Sequence, residues 1–389
     1  MLYKLKDIFD LQMGKTPSRN NIEYWNTNDY KWVSIADLTK TDKYIYDTKE
    51  YLSKKAVNES GIKIIPANTV IMSFKLSIGK TAITAEDMYS NEAIMAFHDK
   101  HIVEILPEYI FYLFKYKNWD DGSNKAVMGK TLNKAILSEV EIDICSIEEQ
   151  RKIVNVLDKI MNLISARKKE LSYLDTFTKA RFVEMFGDPV INSKNLLVVT
   201  LGELSELITK GASPCWQGFS YTDDSSQTLF ITSENIREGY IDLSSPKYIE
   251  DGFNEKQRRS VIRKGDFLIN IVGASIGRAA QFNLDCKANM NQAAALVRVK
   301  DNRIKNKYLL IYLNSDRAKR MYDSMKSDTG RANLSLQDIS DLNILLPAVD
   351  KQIEFENFVA QVDKSKSAVK KALDETQLLF DSLMQEYFG

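Results

Sequence analysis

The stretch Glu148–Ile164, EEQRKIVNVLDKIMNLI, returns 202 residues later as Asp350–Lys366, DKQIEFENFVAQVDKSK. In the first copy Ile153, Val156, Leu157, Ile160, Leu163, Ile164, Leu171, Leu174 and Phe177 recur at helical spacing, interrupted once by the charged turn Arg167–Glu170. No Gly or Pro occurs from Ser146 to Phe186, and Gly187, Asp188 and Pro189 then supply a helix stop. The second copy repeats the stripe with Phe355, Phe358, Val359, Val362, Val369, Leu373, Leu379 and Leu383. The copies also finish alike, with EMFG at Glu184–Gly187 and EYFG at Glu386–Gly389. Roughly 40 helical residues extend about 60 Å, too far for one neighbouring domain to cover the stripe. Each helix is therefore expected to pack on the other as a two-stranded coiled coil, antiparallel under a pseudo-twofold axis.

The repeat extends over the whole chain in one order. YKLKDIFDLQMGKTPS (Tyr3–Ser18) answers to VTLGELSELITKGASP (Val199–Pro214), and KWVSIADL (Lys31–Leu38) to LFITSENI (Leu229–Ile236). IPANTVIMSFKLSIGKTAI (Ile65–Ile83) answers to IRKGDFLINIVGASIGRAA (Ile262–Ala280), SNEAIMAF (Ser90–Phe97) to MNQAAALV (Met290–Val297), and LNKAILSEVEI (Leu132–Ile142) to LSLQDISDLNI (Leu334–Ile344). Chance matches one motif, not six in register, so the chain is a tandem duplication. The expected class is α+β. Two mixed domains, residues 1–145 and 190–346, alternate with a central long helix, 146–189, and a C-terminal one, 347–389. In each domain the Pro66-Ala67-Asn68 or Lys264-Gly265-Asp266 turn is expected to bend a hairpin. Glu108–Trp119 and Asn306–Tyr322 each read as one apolar helix.

Composition narrows the function. Of 389 residues, 44% are hydrophobic and 27% charged, as in a water-soluble globular protein of two or more domains. The 53 basic and 53 acidic side chains balance, which argues against indiscriminate coating of nucleic acid but leaves local patches open. No apolar run reaches the length of a membrane span, and the charged start MLYKLKDIFDLQMGK does not read as a signal peptide. Cys145, Cys215 and Cys286 are odd in number and far apart, which fits a reducing cytoplasm, no local zinc site, and a role as small buried hydrophobes.

Two similar heads held apart by helices suit a polymer with a repeating surface, and DNA is the obvious one. Polar and basic loops stand at matching places. In the first copy these are Lys15, Ser18, Arg19 and Asn20, then Lys75, Ser77 and Lys80, then Lys125, Lys130, Thr131 and Asn133. In the second they are Lys210 and Ser213, then Ser275 and Arg278, then Arg331 and Asn333, with a further cluster at Asn254–Arg259. Lys and Arg neutralise phosphates, while Asn, Ser and Thr hydrogen-bond base edges. Glycine-rich cofactor loops, the aminomethyltransferase Asn-Pro-Pro-aromatic motif and HExxH are all missing from the sequence, and nothing in it reads as catalytic or metal-binding. His98 and His101 read as surface histidines.

The ordered duplication, the Gly14–Ser18 loop, the Ser77–Lys80 turn, and EEQRKIVNVLDKI opening a long helix resemble the specificity subunit of type I restriction–modification systems. The likeness covers essentially the whole chain. Copy two departs where Asp350-Lys351-Gln352 replaces EEQ, and copy one has Cys145-Ser146-Ile147 where copy two keeps Pro347. The resemblance implies a non-catalytic reader of double-stranded DNA, each head taking one half of a bipartite asymmetric site and the helices fixing the gap. It implies no cofactor on this chain. Two modification subunits holding S-adenosylmethionine, and restriction–translocation subunits, would be its partners. Two rivals remain: a self-contained DNA methyltransferase or nuclease, and a coiled-coil scaffold that binds no DNA.

Overall fold

In this computed structural model, residues 1–25, 27–75, 77–119, 132–188, 190–325 and 333–389 are described. The chain divides into two compact units, 1–169 with 370–389, and 170–369. Both cuts fall inside the long helices, so each unit holds one head, the start of one helix and the end of the other.

In the first unit a five-stranded sheet runs in the order Phe9–Met13, Ile94–Asp99, Val70–Ser73, Thr81–Thr84, Tyr44–Ile45. A three-stranded sheet runs Glu50–Leu52, Tyr30–Val33, Tyr89–Ser90. The second unit has four strands, Ser205–Lys210, Ala294–Val299, Phe267–Asn270 and Ala279–Gln281, and a second sheet of Tyr221–Thr222, Tyr248–Ile249, Thr228–Ile231 and Ala288–Met290. The central strands are covered on both faces, which is why they read as unbroken apolar runs. Val70, Met72, Met95 and Phe97 point into one core with the helix Pro107–Tyr116, while Ile71, Ile94 and Ala96 point into another. In the second unit Phe267, Ile269, Ala295 and Val297 face one core, and Leu268, Ala294 and Leu296 the other.

Three local features differ from the sequence reading. First, the hairpins do not bend at Pro66–Asn68 or Lys264–Asp266, which lead into Val70–Ser73 and Phe267–Asn270. Those strands pair antiparallel with Thr81–Thr84 and Ala279–Gln281, so the bends are the loops that carry Ser-Ile-Gly-Lys and Ser-Ile-Gly-Arg. Gly79 and Gly277 each have φ +85°, which favours glycine at both, and at Gly277 an added Cβ would also lie 2.3 Å from the Tyr322 ring. Second, the repeat slips by one residue. Tyr3 and Val199 are equivalent through their partners Ile142 and Ile344, but a bulge between Ser205 and Leu207 then makes Gly211, not Lys210, the partner of Gly14. Third, Asn306–Tyr322 breaks into Asn306–Leu313 and Asp316–Met325. The Asn314 amide accepts from Ala279 N at 3.0 Å and donates to Ala279 O at 2.9 Å, completing that strand's edge, and Ser315 Oγ accepts from Ala318 N at 3.4 Å to start the next helix.

The long helices run over Ile147–Phe186 and Val349–Phe388. Their starts lie on their own heads. Gln150 is fully buried, donating to Glu104 O and Cys145 O at 3.0 Å and accepting from Leu106 N at 2.9 Å. Gln352, also fully buried, donates to Arg303 O and Pro347 O at 2.8 Å and accepts from Lys305 N at 2.7 Å. This glutamine is what EEQ and DKQ share. Only the first copy adds a side-chain cap, Ser146 Oγ accepting from Glu149 N at 3.3 Å, since Ala348 stands there in the second.

The ends explain the repeated EMFG and EYFG. In the second unit Phe186 is buried 4.9 Å from the Tyr308 ring and 5.4 Å from Phe355. In the first, Phe388 lies 5.4 Å from the ring of Tyr109, which stands where the second head has Tyr308. Between start and end the two helices pack antiparallel. In the second unit Asp175 pairs with Lys366, the Phe177 ring lies 5.1 Å from Phe358, and Arg181 pairs with Glu354 at 3.1 Å. In the first, the Arg167 guanidinium donates to Ala372 O and Thr376 Oγ1, so the charged turn that interrupts the stripe is itself a contact.

Of the stripe residues, Ile153, Ile160, Phe355, Val359 and Val362 are buried, and Val156, Leu171, Leu174, Val369 and Leu373 are half-buried. Leu163 does not belong there: it is 50% exposed, because Ile160 and Ile164 already fill the inward face on either side of it. Leu379, 51% exposed, yields likewise to Phe380. The early stripe also packs mostly on the head, with Ile153, Leu157, Ile160 and Ile164 in one core with Tyr109, Ile110 and Leu113. Two further expectations change. Cys215 and Cys286 are exposed, with only Cys145 half-buried. His98 is not a surface residue: it sits half-buried on Ile94–Asp99, paired across the sheet with Asp10.

Candidate nucleic-acid interface

In the first head, the loop after Phe9–Met13 can run close to the sheet because Gly14 has no Cβ, whose place would lie 2.4 Å or less from Ser90 and Asn91 oxygens. Lys15 is exposed and donates to Ser60 O. Ser18 O accepts from Trp25 Nε1 at 3.0 Å, and Asn20 is exposed. Arg19 is not a free cation. Its guanidinium forms a bidentate pair with Glu50 and lies 3.8 Å over Trp25 and 4.7 Å from the Trp32 ring. That arrangement fixes its plane at the cost of neutralising it.

The second loop, Phe74–Lys80, carries Lys75, Ser77 and Lys80 with no acidic partner for either lysine among the described residues. Ser73 Oγ donates to Ser77 O and accepts from Lys80 N at 3.0 Å, which sets the turn. Trp119 and Leu132, the described residues on either side of 120–131, both sit on this loop, Trp119 against Gly79 and Leu132 N on Phe74 O at 3.2 Å. Lys125, Lys130 and Thr131 lie outside the described residues. Asn133 caps the helix Lys134–Glu139, its Oδ1 accepting from Ile136 N at 2.9 Å, so its carbonyl is committed to the fold.

Glu92 joins the two loops, and its sequence context in SNEAI gave no hint of that. Burial pushes its carboxyl up. The hydrogen bond from Thr16 Oγ1, with Lys75 and Arg19 nearby, outweighs this and holds it below the usual carboxylate range. The second head has the neutral Gln292 in that place.

The second head repeats the plan with different side chains. Lys210 is exposed at the end of its strand, and Ser213 precedes the short helix Pro214–Gln217. Ser275 Oγ accepts from Asn270 Nδ2 at 3.1 Å, and Arg278 beside it has no acidic partner among the described residues. Asn333 bridges Val272 across the same loop, and Arg331 lies outside the described residues. Lys256 of the Asn254–Arg259 cluster donates to Gln217 O at 2.8 Å, which brings that cluster to the Pro214–Gln217 loop. Trp216, on this loop, was not singled out from the sequence and is almost wholly exposed. An indole in a four-residue helix, two positions after Pro214, gives no periodic signal. Among the described residues, no group of His, Cys, Asp and Glu could hold a metal ion, and no helix is long and apolar enough to cross a membrane.

The profile of the family described as the type I restriction modification DNA specificity domain matches residues 1–173 and 194–376. The specificity subunit of the type I restriction enzyme MjaIX of Methanocaldococcus jannaschii is 33% identical over 213 residues, 54% of this chain and 48% of that protein. The EcoBI specificity subunit of Escherichia coli is 23% identical over 293 residues, 69% of this chain and 62% of that protein. The chain thus spans less than two thirds of either relative's own length. The crystal structure of the type I restriction–modification S subunit from M. genitalium superposes with a TM-score of 0.54 at 14% identity, over 100% of this chain and 96% of that one. A chain solved in work on assembly and conformational transition of the type I R-M system gives 0.62 at 18% identity, over 100% and 97%. At such identities the likeness is one of fold. With two profile matches covering most of its length, this chain belongs to the type I restriction modification DNA specificity family.

Proposed function

We propose that the chain is the DNA-reading subunit of a type I restriction–modification complex. Each head takes one half of a bipartite asymmetric site, and the paired helices set the gap between them. The observation that carries this is the duplication of one pair of loops: in both heads a loop opened by a close-packed glycine and a Ser-Ile-Gly-basic hairpin loop stand at equivalent places, with cations that have no acidic ion-pair partner among the described residues, while the side chains differ. Equal scaffolds with unequal loops read two different half-sites from one polymer. In this reading the chain holds and distorts DNA. Two modification subunits carrying S-adenosylmethionine methylate an extruded adenine in each half, and restriction subunits join them.

The test is to co-express the chain with its modification subunit and map methylated adenines across the host genome. The expected result is one asymmetric motif with an unspecified gap. Methylation by the purified chain alone would favour the self-contained enzyme, and no enriched motif would favour the scaffold. Lys75→Glu with Lys80→Glu should flatten the salt dependence of binding by about two units of slope, about one per lost phosphate contact.

A further inference from the structure

Trp216 is 90% exposed, whereas Trp32 and Trp119 are buried and Trp25 packs edge-on against Trp32 at 4.9 Å. Tryptophan is among the side chains most covered on average, so an indole standing free is an exception that invites a partner. Its loop is the counterpart of the Arg19 loop. Gly211 approaches the Met290 and Asn291 carbonyls as Gly14 approaches those of Ser90 and Asn91, and Pro214 stands where the first head has Pro17. Trp216 therefore occupies the place of Arg19. Beside it Lys256 is fixed on Gln217 O at 2.8 Å, and Arg258 and Arg259 are exposed without acidic partners among the described residues.

We infer that Trp216 is a wedge that stacks on a base of the half-site read by the second head, opening one base step while Lys256, Arg258 and Arg259 hold the flanking phosphates. This rests on the DNA-reading assignment. One indole among cations matches a polyanion that carries flat, stackable bases. It does not match an apolar protein patch, because a single side chain is far below the area a protein interface requires. Base–aromatic stacking tolerates sequence, so the wedge contributes affinity and DNA distortion more than base identity.

The experiment uses the full chain with its modification subunits and a duplex bearing the mapped site, with 2-aminopurine placed in turn along the second half-site. Apart from the extruded adenine, wild type should raise 2-aminopurine fluorescence at one step, and DNA should quench the exposed indole. Trp216→Ala should weaken binding roughly tenfold to a hundredfold and abolish the signal. It should leave the salt slope unchanged, since no charge is lost. Trp216→Phe should recover most of both. Trp216→Ala that matches wild type in affinity and fluorescence overturns the wedge alone, and so does a variant that binds DNA normally but releases the modification subunit. A wild-type complex that binds no duplex overturns the DNA-reading assignment and the wedge with it.

Discussion

Gln150 and Gln352 each use both amide N–H groups and the amide oxygen, and so tie the segment before the head's apolar helix to the start of the long helix. Gln150→Leu keeps the volume but strands one N–H and two carbonyls, so it should destabilise the chain by on the order of 3 kcal/mol in urea unfolding. A change within about 0.5 kcal/mol would show that the clamp is replaceable. His98 makes a pH prediction. Its Nε2 is buried without a partner among the described residues, and burial lowers its pKa against the opposite pull of Asp10. A lowered folded pKa means that the unfolded chain takes the proton first. Stability is then full above the ordinary histidine value of about 6.5 and is lost as pH falls through it towards the folded value. The drop in Tm between about pH 7.5 and 5.5 should therefore shrink in His98→Gln. An equal drop in both proteins would place the acid sensitivity elsewhere.

The helices were legible as elements because a 3.6-residue period over forty positions has no competing explanation. Which face points inward was less so. Leu163 lies within the apolar arc by sequence, yet Ile160 and Ile164 take the inward positions. Leu163→Lys should cost less than about 0.5 kcal/mol. Phe186→Ala, which empties a site closed by Tyr308 and Phe355, should cost about 3–5 kcal/mol by thermal or denaturant unfolding. Phe388→Ala should cost less, because its ring is only half-buried. Equal costs at 186 and 388 would show that the two plugs are interchangeable despite their unequal burial. The break at Asn314 was hidden for another reason. Its amide serves a strand edge that is remote in sequence, and no window of neighbouring residues carries that information.

Over the whole molecule, the first unit is completed by residues 370–389, which add Phe380 and Met384 to its core. A fragment of residues 1–192 lacks them but carries the equivalent helix end, with Thr178, Phe182 and Phe186 in place of Phe380, Met384 and Phe388. Leaving that core open is unfavourable at about 25 cal/mol per Å² of apolar surface, and a twofold dimer closes it by lending each copy the other's helix end. The fragment should sediment as a homodimer and, with the modification subunit, direct methylation to an inverted repeat of the first half-site. A monomer would show that Thr178 cannot stand in for Phe380.

The sequence by itself determined the duplication, the α+β class, both long helices and the places of the polar loops, because these are properties of order and period along the chain. Only the tertiary structure decided which cations are free. Arg19 and Lys75 are both basic residues of polar loops, but Glu50, 31 residues from Arg19 in sequence, forms a bidentate pair with the first, while among the described residues no acid is in ion-pair contact with the second and Glu92 is only nearby. It alone also placed the hairpin bends on the Ser-Ile-Gly loops, gave Gln150 and Gln352 their partners, and left Trp216 uncovered. Each of these depends on which distant segment arrives beside a residue, and that is set by packing of the whole core, not by the residue's neighbours in the chain.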